Sequence, residues 1–155
     1  MTVENLGVSF PPARRGGARI RVVRGLHLAV HAGQTLAVVG ESGCGKSLTA
    51  LSMLQLVPVP PGRYDSGRIL WTPDPQRDPV DLLSLSERQM QRRRGNEIAM
   101  IFQEPMTSLN PVYTIGEQIL EAIHLHRDLS RAEAIPASAS TPGPTSFPAA
   151  CASAS

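Results

Sequence analysis

Apolar and polar positions alternate with a period of two in VENLGVSF, Val3 to Phe10, and again in LHLAV, Leu26 to Val30. That spacing predicts strands with one buried face. TLAVVG, Thr35 to Gly40, is instead a short continuous apolar run ending in glycine, the pattern of a strand buried on both sides. The period then changes. SLTALSMLQLV, Ser47 to Val57, carries Leu48, Leu51 and Leu54 at helical spacing and stops before Pro58. GRILW (67–71) and EIAMIF (97–102) read as further strands, and SERQMQRRRG between them predicts a short helix with Ser86 as cap, Gln89 three residues on, and Gly95 as its stop. IGEQILEAIHLH, 115–126, predicts a helix with Ile115, Ile119 and Ile123 on one face. The turn-rich stretches PVPPGRYDSG and TPDPQRDP separate these elements. The order of strands and helices is that of an α/β domain without internal repeats.

Composition divides the chain abruptly. Residues 1–134 carry this pattern, whereas 135–155 are almost entirely Ala, Ser, Pro and Thr, which predicts a domain followed by a disordered tail. The 15 Lys and Arg against 13 Asp and Glu leave a net charge of +2, too small to indicate a nucleic-acid partner. The local arginine clusters, Arg14, Arg15, Arg19, Arg21 and Arg24 and then Arg92 to Arg94, are expected to lie on solvated faces. Cys44 and Cys151 are too far apart for a disulfide framework or a metal spacing, which suits a reducing compartment. No apolar run reaches the roughly 18 residues that span a bilayer, and no export signal opens the chain.

The chemistry is concentrated in GESGCGKS, which matches G-x-x-x-x-G-K-[ST] between an apolar run and a helical pattern. In that context backbone N–H groups and the positive end of a helix converge on a phosphate-sized hollow. Gly40, Gly43 and Gly45 allow the tight path, while Glu41, Ser42 and Cys44 contribute main-chain atoms. Lys46 is expected to reach the β- and γ-phosphates of a nucleotide, and the Ser47 hydroxyl to help hold Mg²⁺. Kinases, GTPases and transport ATPases all use such a loop, so the loop alone leaves the reaction open.

A second motif narrows it. IAMIFQEPMTSLNPVYTIGEQI, 98–119, resembles the glutamine-containing loop of the ABC transporter ATPases in the form of the peptide-importer group, and the likeness runs from VENLGVSF through SRAEA with GESGCGKSLTAL in place. The resemblance implies the amino-terminal part of a P-loop NTPase-like core with a mixed sheet and flanking helices. It implies ATP and Mg²⁺ as cofactors, with Gln103 reaching the metal or a water. It also implies that Phe10 stacks on adenine; by itself the residue is equally a core phenylalanine. Met106, Leu109 and Val112 would face transmembrane permease subunits, although burial in the domain's own core explains those residues equally well. A second ATP-binding domain, identical or related, would complete the site at the cytoplasmic face of the membrane, where the protein sits peripherally. The wording is nearest to dipeptide, oligopeptide and glutathione importers, with nickel-uptake relatives close.

The family also uses an LSGGQ-type signature loop, a strand ending in Asp with a catalytic Glu beside it, and a switch histidine. None of these occurs in the 155 residues, and His124 and His126 fall too early to serve as the switch. The chain alone is therefore expected not to hydrolyse ATP, and to leave apolar sheet surface uncovered. A small-molecule kinase, with Arg92 to Arg94 as a basic lid, and a non-catalytic nucleotide-binding module are the competing readings. The tail bears on this at the level of codons. Taking the third base of each codon with the first two of the next, PTSFPAACASAS can spell HELSGGMRQR, the signature-loop wording of peptide importers. Residues 135–155 are therefore expected to be out-of-frame translation. The coding DNA read one frame over should give that loop; a shifted frame without it excludes the idea.

Overall fold

The computed structural model describes residues 1–12, 14, 16–74, 76–103 and 109–126. The fold divides into two units, Met1–Met100 and Ile101–Ser155. The expected domain boundary after 134 and the tail that follows it lie outside the described residues.

The first unit is built on an antiparallel sheet of order β2-β1-β3-β4, with β1 at Thr2–Phe10, β2 at Ile20–Ala29, β3 at Arg63–Trp71 and β4 at Val80–Asp81. β1 pairs Val3 with Leu28 and Val8 with Val23 on one side, and Val3 with Ile69 and Val8 with Tyr64 on the other. Both ladders shift register near Asn5 to Gly7. There Gly67 has φ 98°, and an added Cβ would lie 2.6 Å from Asn5 O and from Leu6 Cα. Only glycine fits so close a backbone approach. Val3, Leu6, Val8, Val23 and Ile69 form the core with Val57, Leu82 and Met90. Removing a fully buried side chain such as Leu6 or Met90 would cost roughly 2–5 kcal/mol.

Helix α1 (Lys46–Met53) precedes β3, and α2 (Glu87–Arg93) follows a 3₁₀ turn at Leu82–Ser84. The capping box expected at α2 is formed: the Ser86 N–H donates to Gln89 Oε1 at 2.9 Å, and Gly95 ends the element at φ 79°. Neither β4 nor the 3₁₀ turn was anticipated by periodicity, because each is too short to show one. Asp81 organises both, its Oδ1 accepting from Ile69 N and Leu83 N at 3.1 Å.

Three expectations are corrected. The apolar run 35–40 is not a buried strand: Val38 is 52% and Val39 89% exposed, and no ladder takes it up. The run 98–102 likewise forms only an isolated bridge between Arg94 and Ile98, with Ile101 89% exposed. A strand buried on both faces needs a neighbour along each edge, and none of the described strands supplies one to these runs. For the same reason the sheet is antiparallel throughout rather than mixed. Leu36, Val38 and Val39 in the first unit, and Ile101 and Phe102 in the second, are exposed outside the sheet.

Arg93 and Arg94 depart from the solvated reading, whereas Arg14, Arg21, Arg24 and Arg92 are exposed, as it expects. Arg94 donates through Nε to Leu54 O at 2.7 Å and through Nη2 to Gln55 O at 3.2 Å, and pairs with Glu87. It thereby ties the end of α1 to α2. Gln55, at φ 49°, completes the junction by donating from its side chain to Leu82 O and Leu85 O. Arg93 pairs with Glu97, which also accepts from Trp71 Nε1 at 2.8 Å.

The second unit, by itself, contributes α3 at Ile115–His126 with the boundaries read from the sequence. Glu117 accepts from Thr114 N at 3.0 Å and closes its first turn. Its buried residue is Leu120; Ile115 and Ile119 of the expected face are 42% and 52% exposed.

Hydrogen bonding from the Arg94 guanidinium holds the Glu87 carboxyl below its ordinary value. A carboxylate lowered in the folded state contributes stability that is full above its unfolded pKa and is lost as pH falls through the folded one. Thermal unfolding midpoints measured from about pH 6 to about pH 3 should fall further for the native chain than for Glu87→Gln.

Candidate functional site

The glycine-rich stretch 40–45 runs directly into α1. Gly43 has φ 81° and Gly45 φ 97°, both left-handed, and Cys44 N donates to Glu41 O at 3.4 Å. Gly45 occupies the N-cap, its carbonyl accepting from Thr49 N at 2.9 Å and Thr49 Oγ1 at 3.0 Å. A Cβ there would stand 3.1 Å from Val22 O, so the same glycine lets the loop close on β2.

Lys46 turns back over the loop. Its Nζ donates to Gly40 O at 2.8 Å and Glu41 O at 2.7 Å, and lies 3.6 Å from Cys44 Sγ. The ammonium is thus poised at the loop on main-chain acceptors, whose partial charges are weaker than those of phosphate oxygens.

α1 reaches the core differently from the expected leucine stripe. Leu54 is buried and Leu48 and Leu51 half-buried, but Thr49 and Ser52 are also buried. Their hydroxyls return to the helix backbone, Ser52 Oγ to Leu48 O at 2.7 Å, so a small polar face packs without leaving an unmet donor.

A cleft of about 290 Å³ opens beside this loop, lined by Phe10, Val22, Gly43, Gly45, Lys46, Ser47 and Leu48. Five residues singled out in the sequence, Phe10, Gly43, Gly45, Lys46 and Ser47, therefore share one hollow. Gly40 and Glu41 join them through Lys46, while Ser42 and Cys44 sit exposed on the loop outside the lining. Phe10 is half-buried and packs on the core, as the core reading expects, while it also lines the cleft. Gln103 is exposed and belongs to the second unit. Met106 lies outside the described residues; Leu109 and Val112 are exposed in the second unit.

Leu48 was read from the sequence only as part of the helical stripe, and Val22 was not singled out, since no motif residue adjoins it in the sequence. None of the described lining residues is acidic, and the set combines apolar walls, a helix N-terminus, a hydroxyl and one ammonium. That donor set fits a nucleotide: phosphate oxygens suit the ammonium and free helix N–H groups, and a base suits Phe10 and Val22. Among the described residues no group of three His, Cys, Asp or Glu could hold a metal on protein ligands alone, and no helix is long and apolar enough to cross a membrane.

The sequence model of the ABC transporter family matches residues 23–146. Phe10 and β1 precede that range. The chain is 43% identical over 131 residues to the oligopeptide transport ATP-binding protein OppD of Bacillus subtilis, covering 84% of this chain and 34% of that protein. It is 50% identical over 115 residues to a probable peptide ABC transporter ATP-binding protein, y4tR, of Sinorhizobium fredii, covering 74% and 32%. To the glutathione import ATP-binding protein GsiA of Escherichia coli K12 it is 46% identical over 138 residues, covering 87% and 21%. The chain thus spans between 21% and 34% of the length of these curated relatives.

Gly45→Ala combines a left-handed backbone with a contact on Val22 O. Left-handed conformation at a residue with a Cβ costs about 1–2 kcal/mol, so urea unfolding should show a loss of at least that size.

Proposed function

We propose that this chain, which belongs to the ABC transporter family, acts as part of the ATP-binding subunit of an importer that couples ATP binding and hydrolysis to uptake of a dipeptide, oligopeptide or glutathione. The observation that carries the reading is the shared cleft: Phe10 from the end of β1 and the Gly43–Ser47 segment line one hollow. Nothing in the motif itself requires an aromatic residue more than thirty positions earlier to lie there. The names of the relatives, transport ATP-binding proteins for oligopeptide, peptide and glutathione, support the solute class.

In this reading Phe10 and Val22 hold the base, and the main-chain N–H groups of Gly40 to Gly45 together with Lys46 bind the β- and γ-phosphates. Ser47 and Gln103 are the ligands toward Mg²⁺, which when bound neutralises charge on the phosphate oxygens. Lys46 exchanges Gly40 O and Glu41 O for phosphate oxygens, trading neutral acceptors for charged ones. Gln103 orients the water that attacks. Permease subunits at the cytoplasmic face of the membrane and a second ATP-binding domain complete the transporter in this reading, which the names of the relatives as transport ATP-binding proteins support. A kinase with Arg92 to Arg94 as a mobile lid draws no support, since Arg93 and Arg94 are engaged in ion pairs.

Titration calorimetry with ATP and Mg²⁺ should detect binding that Lys46→Ala weakens about ten- to hundredfold, as loss of a charge-assisted hydrogen bond implies. The chain alone should release no phosphate from ATP. Phosphate release that disappears in Lys46→Ala would overturn the inactivity, and binding indifferent to Lys46 would overturn the site.

A further inference from the structure

Arg19 was grouped by sequence with solvated arginines, but its guanidinium makes three hydrogen bonds beside the candidate base platform. Nε donates to Ser9 Oγ at 2.9 Å, and Nη2 donates both to Ser9 O at 2.9 Å and to Pro61 O at 3.0 Å. Ser9 is 1% exposed, so its carbonyl and hydroxyl depend on protein partners. The two anchored residues each adjoin one that touches the platform: Ser9 precedes Phe10, and Pro61 precedes Gly62. A Cβ on Gly62 would stand 3.1 Å from Phe10 Cε1, 3.0 Å from Val57 Cγ1 and 2.8 Å from Pro58 O. The turn, closed by Gly62 N on Pro58 O at 2.8 Å, thus lies against the edge of the Phe10 ring.

We propose that Arg19 is a positioning residue for nucleotide-base recognition, bolting the end of β1 to the Pro58–Gly62 turn so that the turn fixes the Phe10 ring at the cleft. The inference rests on the reading of Phe10 as the base platform and adds what holds it. One planar guanidinium spans both carbonyls and the hydroxyl at once. A lysine, as a point donor on a flexible stem, cannot reproduce that fork. Without the bolt, the turn and ring gain freedom that nucleotide binding must then remove. The phosphate loop makes none of these contacts, so the cost falls on the base alone.

The test compares ATP with inorganic tripolyphosphate, both with Mg²⁺, on the full chain and on Phe10→Ala, Arg19→Gln, Arg19→Lys and Gly62→Ala, with circular dichroism to check folding. Phe10→Ala should lower ATP affinity roughly five- to hundredfold and leave tripolyphosphate unchanged. Arg19→Gln should shift the same ratio by about three- to tenfold, with Arg19→Lys failing to restore it and Gly62→Ala acting in the same direction. If Phe10→Ala is selective and Arg19→Gln is not, whether it changes both ligands equally or neither, Arg19 is no positioning residue and the platform stands. If Phe10→Ala does not alter the ratio, or the unaltered chain binds no ATP, the platform reading fails and this proposal with it. Should Gly62→Ala not fold, the two Arg19 variants decide alone.

Discussion

Strand β1 is hydrogen-bonded along both edges, from Thr2–Ala29 to Phe10–Ile20 on the β2 side and from Thr2–Leu70 to Ser9–Arg63 on the β3 side. Every part of the candidate site takes its position from that double pairing. Phe10 is where the strand ends. Val22 arrives through β2, one position from Val23, which pairs with Val8, and it carries both a wall of the cleft and the carbonyl against which Gly45 closes. The turn that meets the Phe10 ring leads straight into β3. A central strand with two satisfied edges and a buried interior is among the hardest parts of a sheet to displace, so a binding hollow built at its end inherits that rigidity.

Apolar packing of Leu82 and Met90 on the sheet is supplemented by polar side chains at the ends of the elements. Arg94 and Gln55 join the end of α1 to α2 and to the turn at Leu82–Ser84, Glu97 joins Trp71 to Arg93, and Asp81 joins β3 to the same turn. Most of these groups satisfy backbone carbonyls or N–H groups that short elements leave open at their ends. A domain with an eight-residue α1 and a seven-residue α2 has a high proportion of such ends. Arg19 and Arg94 therefore act as fasteners between such ends.

What the sequence made legible was local. The capping box at Ser86, the bounds of α3 and the glycine-rich turn into α1 each rest on residues within a few positions of one another, and they appear where spacing put them. The family resemblance added Phe10, which no spacing argument connects to residue 46. Illegible were features that depend on distant partners. The runs 35–40 and 98–102 have the composition of buried strands, but composition specifies only that a strand would be stable if flanked, not that flanking strands are present. Arg19 and Arg94 were misread because charge runs are usually solvated, and nothing nearby in sequence reveals that Pro61 O or Leu54 O waits for a donor.

The position of Lys46 shows how such a loop can be stable and receptive together. An ammonium that left its shell of water without replacement would carry a heavy desolvation cost. Gly40 O and Glu41 O meet that need at 2.8 Å and 2.7 Å, so the loop holds its shape on bonds of its own. Because those acceptors are neutral main-chain carbonyls, exchange for anionic oxygens stays favourable by the difference between a neutral and a charge-assisted bond. A carboxylate in the same place would have held the ammonium as tightly as a phosphate and removed the driving force. Glu41, although adjacent, contributes its carbonyl and not its carboxylate to Lys46, which leaves the ammonium on neutral acceptors alone.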